Sequence, residues 1–255
     1  MSNPNDYTFC TLALGQRYCL LAKQMSENLS QQAPGHKLVV LTDNPDIFSD
    51  CENVVPVLFK QQGVLHCYHD KRFAIEQALK LSNTAVMIDV DAGFEDYVAD
   101  LKFEPGIECH SENLIQHVSK WTPERLDTLH RVANKVDVDI EQATWIGESL
   151  FAVTKDGGKE DLFLQYWGQI GRYLELNKIH AGSGNAIGLA AEKVGWKPRK
   201  SDTFLHLKSL WNHFDASLQR PAPTIMSRLR RKFDFHFRLN LQRIKALKDF
   251  EFYYR

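Results

Sequence analysis

The sequence lacks the features that mark three special classes of protein. Its five cysteines contain no C-x-x-C pair, so we expect reduced thiols and no zinc ribbon. It has no run of about 18 apolar residues, so we expect no helix that spans a bilayer. The opening residues, MSNPNDYTF, are polar and lack the apolar segment of a secretory signal. These absences favour a cytoplasmic globular protein.

Net charge is nearly absent as well, but the charges are unevenly distributed. The whole chain has 31 basic and 32 acidic residues, which gives a net charge of −1. Residues 220–255 alone contain ten lysines and arginines and three acids, so the rest of the chain is acidic. We expect this C-terminal part to contact an anionic partner or the acidic body of the protein.

The length and composition fit one α/β domain with an appendage. The chain has 255 residues, of which 44% are apolar and 25% are charged, as in ordinary globular proteins. We predict a domain over residues 1–215 and a basic, aromatic C-terminal tail over residues 216–255. Three interpretations of the tail stay open: contact with anionic lipid, contact with nucleic acid, and a helix pair whose aromatic residues pack on the domain. The acidic body argues against nucleic acid.

The first half of the chain alternates between strand and helix patterns. This alternation predicts βαβ units and a mainly parallel sheet, and Pro56 indicates an edge or irregular position for its strand. The predicted strands are residues 6–14, 36–46, 52–59 and 83–91, and the predicted helices are residues 15–32 and 70–82.

The pattern is less regular after Phe94. We predict helices at residues 122–136 and 159–178, a strand at 143–157, a glycine-rich loop that opens a helix at 180–196, and a short strand or turn at 202–213. His110 and His117 lie in a part of the chain with no assigned element.

Two acids follow the fourth predicted strand, in the stretch AVMIDVDAGF. Asp89 and Asp91 stand one residue apart, and Asp43 follows the second strand in the same way. Ligands of such sheets bind beyond the carboxyl ends of the strands, so we expect these acids at the ligand-binding edge. Paired carboxylates can hold Mg²⁺ or Mn²⁺ on a phosphate-bearing substrate. His206 is the expected third ligand, since imidazole can bind Mn²⁺. His110 and His117 are weaker candidates, because they have no assigned element.

Taken together, these motifs resemble the GT-A glycosyltransferases, the nucleotide-diphospho-sugar transferase superfamily with a D-x-D motif. The resembling stretches are TFCTLALGQRY, KLVVLTD, HDKRFAIEQALKLSNTAVMIDVD and FLHLKSLW, in this order. The resemblance implies a Rossmann-like, mixed but mainly parallel sheet flanked by helices, followed here by a basic helical extension. It also implies a metal-dependent hexosyltransferase that moves a sugar from a nucleotide-diphosphate donor, commonly a UDP-sugar, to a hydroxyl of a glycan or glycolipid.

The resemblance also assigns a role to individual residues. Asp89 and Asp91 would hold Mn²⁺ or Mg²⁺ together with His206, and Asp89 would also contact the ribose. The residues that would bind the rest of the donor are Leu14, Gly15, Arg17, Asp43, Lys71 and Arg72. Glu148 would be the acceptor-side base, or Asn185 would line the acceptor side, so inverting and retaining chemistry both stay open.

Three rival functions use related features. A phosphohydrolase of the haloacid-dehalogenase kind also has D-x-D after a strand, but it needs Thr or Val where this chain has Gly93. A nucleotidyltransferase needs a glycine-rich basic loop after the first strand, and ALGQRY matches this poorly. An inert GT-A-like module would bind a glycan or a partner without catalysis. For a transferase we expect a location in the cytoplasm, with the tail available for contact with the inner face of the membrane.

Overall fold

A computed structural model describes residues 6–214 and 224–255. The strands are β1 Tyr7–Ala13, β2 Leu38–Thr42, β3 Val54–Leu58, β4 Thr84–Ile88, β5 Ala92–Phe94, β6 Gly106–Asn113, β7 Thr144–Thr154 and β8 Trp211–His213. The α-helices are α1 Gln16–Gln32, α2 Lys71–Leu79, α3 Leu114–Trp121, α4 Leu126–Lys135, α5 Lys159–Leu176, α6 Gly184–Lys193, α7 Asp202–Leu210, α8 Ile225–Ala246 and α9 Phe250–Tyr254.

Six strands form one sheet in the order β3-β2-β1-β4-β7-β6. The first four in this order are mutually parallel, and β7 runs antiparallel to β4. The predicted α/β fold with a mixed, mainly parallel sheet is therefore confirmed. Pro56 lies in β3 at the edge of the sheet, as expected, because proline cannot donate a hydrogen bond to a second neighbouring strand.

Helices cover both faces of the sheet and divide the core into two clusters. On β1 and β4, Phe9 and Val86 enter one cluster while Cys10 and Met87 enter the other. This division follows from the strand period of two, which sends neighbouring side chains to opposite faces. Helices α1 and α7 cover the first face, and α2, α5 and α6 cover the second.

Residues 202–213 correct the prediction of a short strand or turn. Most of this segment is the helix α7, which begins at the N-cap Ser201, whose hydroxyl accepts a hydrogen bond from the Phe204 amide at 3.0 Å. Only the last three residues form the strand β8, which pairs with β5 in a separate two-stranded sheet. Phe204 and Leu207 are buried on α7, and this helical burial spacing overrides the apolar content that suggested a strand.

The sequence pattern also missed β6 and α3, which fill residues 106–121. β6 lies at the outer edge of the sheet and contains an irregularity between Cys109 and Ser111. Its first four residues are buried and its last four are more exposed, so no single alternation runs through it. An edge strand with such a break has no clear period of two in its sequence.

The described part of the C-terminal tail forms α8 and α9. The predicted domain boundary after residue 215 lies outside the described residues, so the division into domain and tail stays a prediction. Tyr253 is buried, and Phe252 packs against one of the two core clusters, while other aromatic residues of the tail remain exposed. In the described part of the chain, no helix is both long and apolar enough to cross a bilayer.

Candidate active site

The loops that follow β1 and β2 meet at the carboxyl edge of the sheet. Gly15 donates its backbone N–H to the carboxylate of Asp43 over 2.9 Å. Gly15 has a φ of 85°, a conformation that glycine adopts at little cost and other residues adopt rarely. Leu14 and Arg17 are half-buried on either side of this glycine. The structure thus brings four of the expected donor-binding residues to one edge.

The acid pair lies at the same edge, where β4 ends. Asp89 directly follows β4, and the backbone then turns, with the Ala92 amide bonded to the Asp89 carbonyl at 3.1 Å. Val90, between the two acids, is buried among apolar side chains. A buried Val90 between two half-exposed acids fits the alternation expected where a strand ends at the surface.

His213 joins the acid pair to form a group with the ligand atoms that a metal needs. One ligand atom from each of Asp89, Asp91 and His213 lies within 4.8 Å of the other two. His213 Nε2 is 3.1 Å from the Asp91 carboxylate. Two carboxylates and an imidazole form a donor set suited to Mn²⁺, and the carboxylates also suit Mg²⁺. The residues present therefore fit the divalent cation that the D-x-D motif implies.

The structure does not place His206 in this group. His206 is exposed on α7, and the imidazole beside the acids belongs to His213 instead. The reason is the pairing of β5 with β8, which sets His213 opposite Ala92, the residue after Asp91. The two histidines lie seven residues apart, and only the strand pairing distinguishes them.

Lys71 holds Asp89 from the side of α2. Its ammonium group is 2.5 Å from the Asp89 carboxylate and 3.0 Å from the backbone oxygen of Glu148. Burial by itself lowers the pKa of Lys71, but the negative charges of Asp89 and Glu148 outweigh it and raise the pKa above its ordinary value. Lys71 therefore stays protonated, and its charge lies within the protein beside the acid pair.

Glu148 lies on β7 beside Lys71, and its carboxylate joins this strand to the start of α6. Its Oε2 accepts hydrogen bonds from the amide of Ser183, at 2.5 Å, and from the Ser183 hydroxyl. A Cβ on Gly184 would lie 2.3 Å from the Ile146 oxygen, and one on Gly188 would lie 1.6 Å from the Thr144 oxygen. Gly184 and Gly188 are thus required for α6 to approach β7 so closely.

Asn185 is buried in the first turn of α6, two residues after the serine that contacts Glu148. Its Oδ1 accepts no hydrogen bond from the described residues. A buried side-chain oxygen without a donor is uncommon in native proteins. Asn185 lies on the helix whose N-cap, Ser183, bonds to Glu148, so both expected acceptor-side residues belong to the contact between β7 and α6.

Arg72 lies in a different place from its neighbour Lys71. Its guanidinium stacks on Phe73, with 3.7 Å to the ring centroid, and packs against Gly168 of α5. It lines a cleft of about 670 Å³ together with Arg172 and Lys245. Burial, and then the charge of Arg172, lower the pKa of Arg72 to about 10. The structure therefore brings Lys71, and not Arg72, to the acid pair.

Two residues of this region were not found from the sequence. His213 was overlooked because the late segment contains two histidines and the resemblance favoured the first. Ser183 carries no signal beyond its position in a glycine-rich loop before a helix, where serine commonly serves as a cap. A strand predicted for residues 211–213 alone, paired with the residues after Asp91, would have made His213 the expected metal ligand.

Comparison with known proteins shows the fold and leaves the family open. No protein-family model matches the sequence, and no curated protein matches it. The chain is similar to a solved structure of WbbM, a bifunctional glycosyltransferase in its apo form, with a TM-score of 0.51 and 9% identity. The match covers 85% of this chain and 47% of the other, so this chain spans about half the length of that protein. At this identity the likeness shows a shared fold, and the activity has to be argued from the site.

Proposed function

We propose that this protein is a metal-dependent glycosyltransferase that moves a hexose from a nucleotide-diphosphate donor to a hydroxyl of a glycan or glycolipid. The observation that carries this proposal is the group of Asp89, Asp91 and His213 at the ligand-binding edge of the sheet. The fold shared with a glycosyltransferase supports the same activity. We propose a UDP-sugar as the donor, because uridine nucleotides are the commonest donors of the families that the sequence resembles.

Asp89, Asp91 and His213 would hold Mn²⁺ or Mg²⁺. The cation, when bound, supplies Lewis-acid stabilisation of the negative charge on the departing diphosphate. Lys71 positions Asp89, because its ammonium group is held between that carboxylate and the Glu148 backbone. This arrangement fixes one carboxylate before substrate binds, which lowers the cost of organising the site.

Glu148 is our candidate for the base that takes the proton of the acceptor hydroxyl. Its Oε2 is engaged with Ser183, and Oε1 takes no part in these two bonds. A carboxylate held by one oxygen keeps the other for proton transfer in an inverting reaction. In the alternative, Asn185 contacts the acceptor, since its Oδ1 lacks a donor in the described chain.

The remaining donor contacts follow from the edge of the sheet. We propose that Leu14, Gly15 and Arg17 border the base and that Asp43 lies near the nucleoside. The bond between Gly15 and Asp43 already joins the two loops, so the donor would meet a surface formed in advance. Arg72 lies in the separate cleft beside α5 and is not included among the donor contacts.

The test is thermal unfolding with UDP, GDP, CDP and ADP, each with and without Mn²⁺. A ligand that binds the folded state raises the melting temperature by mass action. We expect one nucleotide to stabilise the wild type only with metal, and Asp91→Ala to abolish this effect. His213→Ala should weaken the apparent metal affinity by at least about tenfold. In a sugar-transfer assay, Asp91→Ala should lower kcat/KM by about 10³-fold.

His206→Ala is the matched control, since it removes an imidazole from the same segment without touching the acid pair. We expect it to leave the nucleotide and metal response unchanged within about twofold. If no nucleotide raises the melting temperature of the wild type, with or without Mn²⁺, the proposed donor site is wrong. If a nucleotide binds with metal but neither transfer nor hydrolysis of its sugar conjugate occurs, the inert-module alternative replaces the transferase.

A further inference from the structure

Helix α8 points its polar side chains toward the protein. Arg238 donates to the Val64 backbone oxygen at 3.0 Å, and Gln242 donates to the Gln62 backbone oxygen at 2.8 Å. Gln242 is buried, and its Oε1 accepts a hydrogen bond from Arg172 at 2.9 Å. Polar contacts of this kind, rather than apolar packing alone, hold α8 on the body of the protein.

The opposite face of α8 is exposed and mainly apolar, with His236 and Asn240 as its polar members. Its apolar residues are Ile225, Met226, Leu229, Phe233, Phe237 and Ile244, each at least half exposed. On a helix with 3.6 residues per turn these positions fall on one side. An ordinary surface helix turns its apolar face to the core. In α8 only part of the apolar surface does so, through Phe235 against His180 and the buried Ala246, while the larger set named above faces solvent.

Cations flank this apolar face on both sides. Lys232 and Arg243 lie along one flank, and Arg230 lies along the other, as the helical period of 3.6 residues places them. The described part of α8 contains a single acid, Asp234, whose carboxylate lies 3.9 Å from Arg230. The exposed face therefore combines apolar side chains with a border of positive charge.

We propose that this face of α8 binds an anionic lipid surface, with Phe233 and Phe237 inserted at the boundary between headgroups and acyl chains. A helix with an apolar face, basic flanks and low overall hydropathy is suited to lie in the plane of such an interface. Its 22 residues span about 33 Å, which is long enough for several lipid contacts. The cations attract anionic headgroups while the apolar side chains leave water.

Charge favours an anionic lipid surface over a second copy of the chain as the partner of α8. In a symmetric dimer the same face would meet itself, which would bring the basic flanks of two α8 helices together. Like charges brought together oppose association. An anionic bilayer offers the complementary charge and the apolar layer at the same time. The inference concerns α8 alone and does not depend on the transferase activity.

The experiment is vesicle flotation of the whole protein with two lipid compositions, pure phosphatidylcholine and phosphatidylcholine with phosphatidylglycerol. We expect the wild type to float with the anionic vesicles and not with the neutral ones, and to be released by 1 M salt. Phe233→Ser with Phe237→Ser should reduce the partition coefficient by at least about tenfold. Lys232→Gln with Arg243→Gln should reduce it by roughly tenfold or more.

Matched controls change exposed residues outside α8. Trp121→Ser removes a side chain that is 62% exposed, and Lys80→Gln with Lys102→Gln removes two exposed charges elsewhere. We expect all three control substitutions to leave flotation unchanged. Melting temperatures close to that of the wild type would show that the α8 variants still fold.

Three outcomes would overturn the proposal. The first is no flotation with anionic vesicles. The second is equal flotation of the wild type and the Phe233→Ser, Phe237→Ser variant. The third is a dimer in sedimentation velocity without vesicles that this same variant dissociates, since a second copy would then cover the face. Nucleotide binding is measured separately, so failure here would not alter the donor-site result.

Discussion

The edge of the sheet at Asp89 and Asp91 and the helix α8 differ in what they bury: the first buries a charge, and the second exposes apolar side chains. At the edge, the Lys71 ammonium is buried, and it is held by the Asp89 carboxylate and a backbone oxygen. Along α8, large apolar side chains face solvent while Arg238 and Gln242 face the protein. Each region departs from the usual rule that charge lies outside and apolar surface inside.

The two regions differ in whether the chain itself supplies the partner of the unusual group. A buried charge is tolerated when a partner within the chain offsets the loss of hydration, and Lys71 has such partners. The apolar face of α8 has no covering within the described residues. The buried charge of Lys71 is therefore balanced within the chain, whereas the apolar face of α8 is suited to a partner from outside.

The largest expected effect compares one residue type in two environments. Phe204 is 1% exposed on α7, and Phe233 is 71% exposed on α8. We expect Phe204→Ala to lower the free energy of unfolding by about 4 kcal/mol, because it leaves a cavity in the core. Phe233→Ala should change it by less than about 0.5 kcal/mol. Urea unfolding of the two variants measures this difference, and a similar loss in both would mean that the chain itself covers α8.

The next effect tests whether Lys71 and Asp89 stabilise one another. Lys71→Met leaves the Asp89 carboxylate without its partner, so we expect the free energy of unfolding to fall by about 3 kcal/mol. Adding Asp89→Asn should recover part of this loss, because no unpaired charge then remains. Urea unfolding of the wild type, the two single variants and the double variant completes the cycle. Additive losses would contradict a direct interaction between the two side chains.

The smallest effect concerns the buried carboxylate of Glu175. It bonds to Val64, the residue whose backbone oxygen accepts a hydrogen bond from Arg238 of α8. Burial raises the pKa of Glu175 to about 7, although its Oε1 accepts a hydrogen bond from the Val64 amide. Since the folded pKa lies above the unfolded value, the folded state keeps its proton after the unfolded chain has lost it. Stability from this group is present at acid pH and is lost as pH rises to about 7.

Glu175→Gln should therefore gain stability relative to the wild type as pH rises from 5 to 8, by about 2 kcal/mol. The difference between the two proteins, from urea unfolding at each pH, cancels the contribution of other groups. One such group is His69, whose pKa burial lowers to about 3 and whose slope has the opposite sign. A difference that does not change between pH 5 and pH 8 would show that Glu175 titrates normally.

Local patterns in the sequence determined the main features of the fold. The buried strands, and the position of Asp89 and Asp91 after β4, follow from short continuous apolar runs that are buried on both faces. The helices between them follow from the apolar period of 3.6 residues. These patterns come from contacts within short stretches, so the sequence displays them directly. The edge position of β3 followed in the same way, from the missing N–H of Pro56.

Tertiary structure alone decided which residues meet at the site. Lys71 and Arg72 are neighbours, but successive side chains on a helix point about 100° apart, so one reaches Asp89 and the other faces α5. His213 was selected over His206 by the pairing of β8 with β5, which joins residues about 120 positions apart. Arg238 and Gln242 of α8 face the protein because the backbone oxygens of Val64 and Gln62 accept their hydrogen bonds. Such long-range contacts depend on how elements pack, and no local period in the sequence records them.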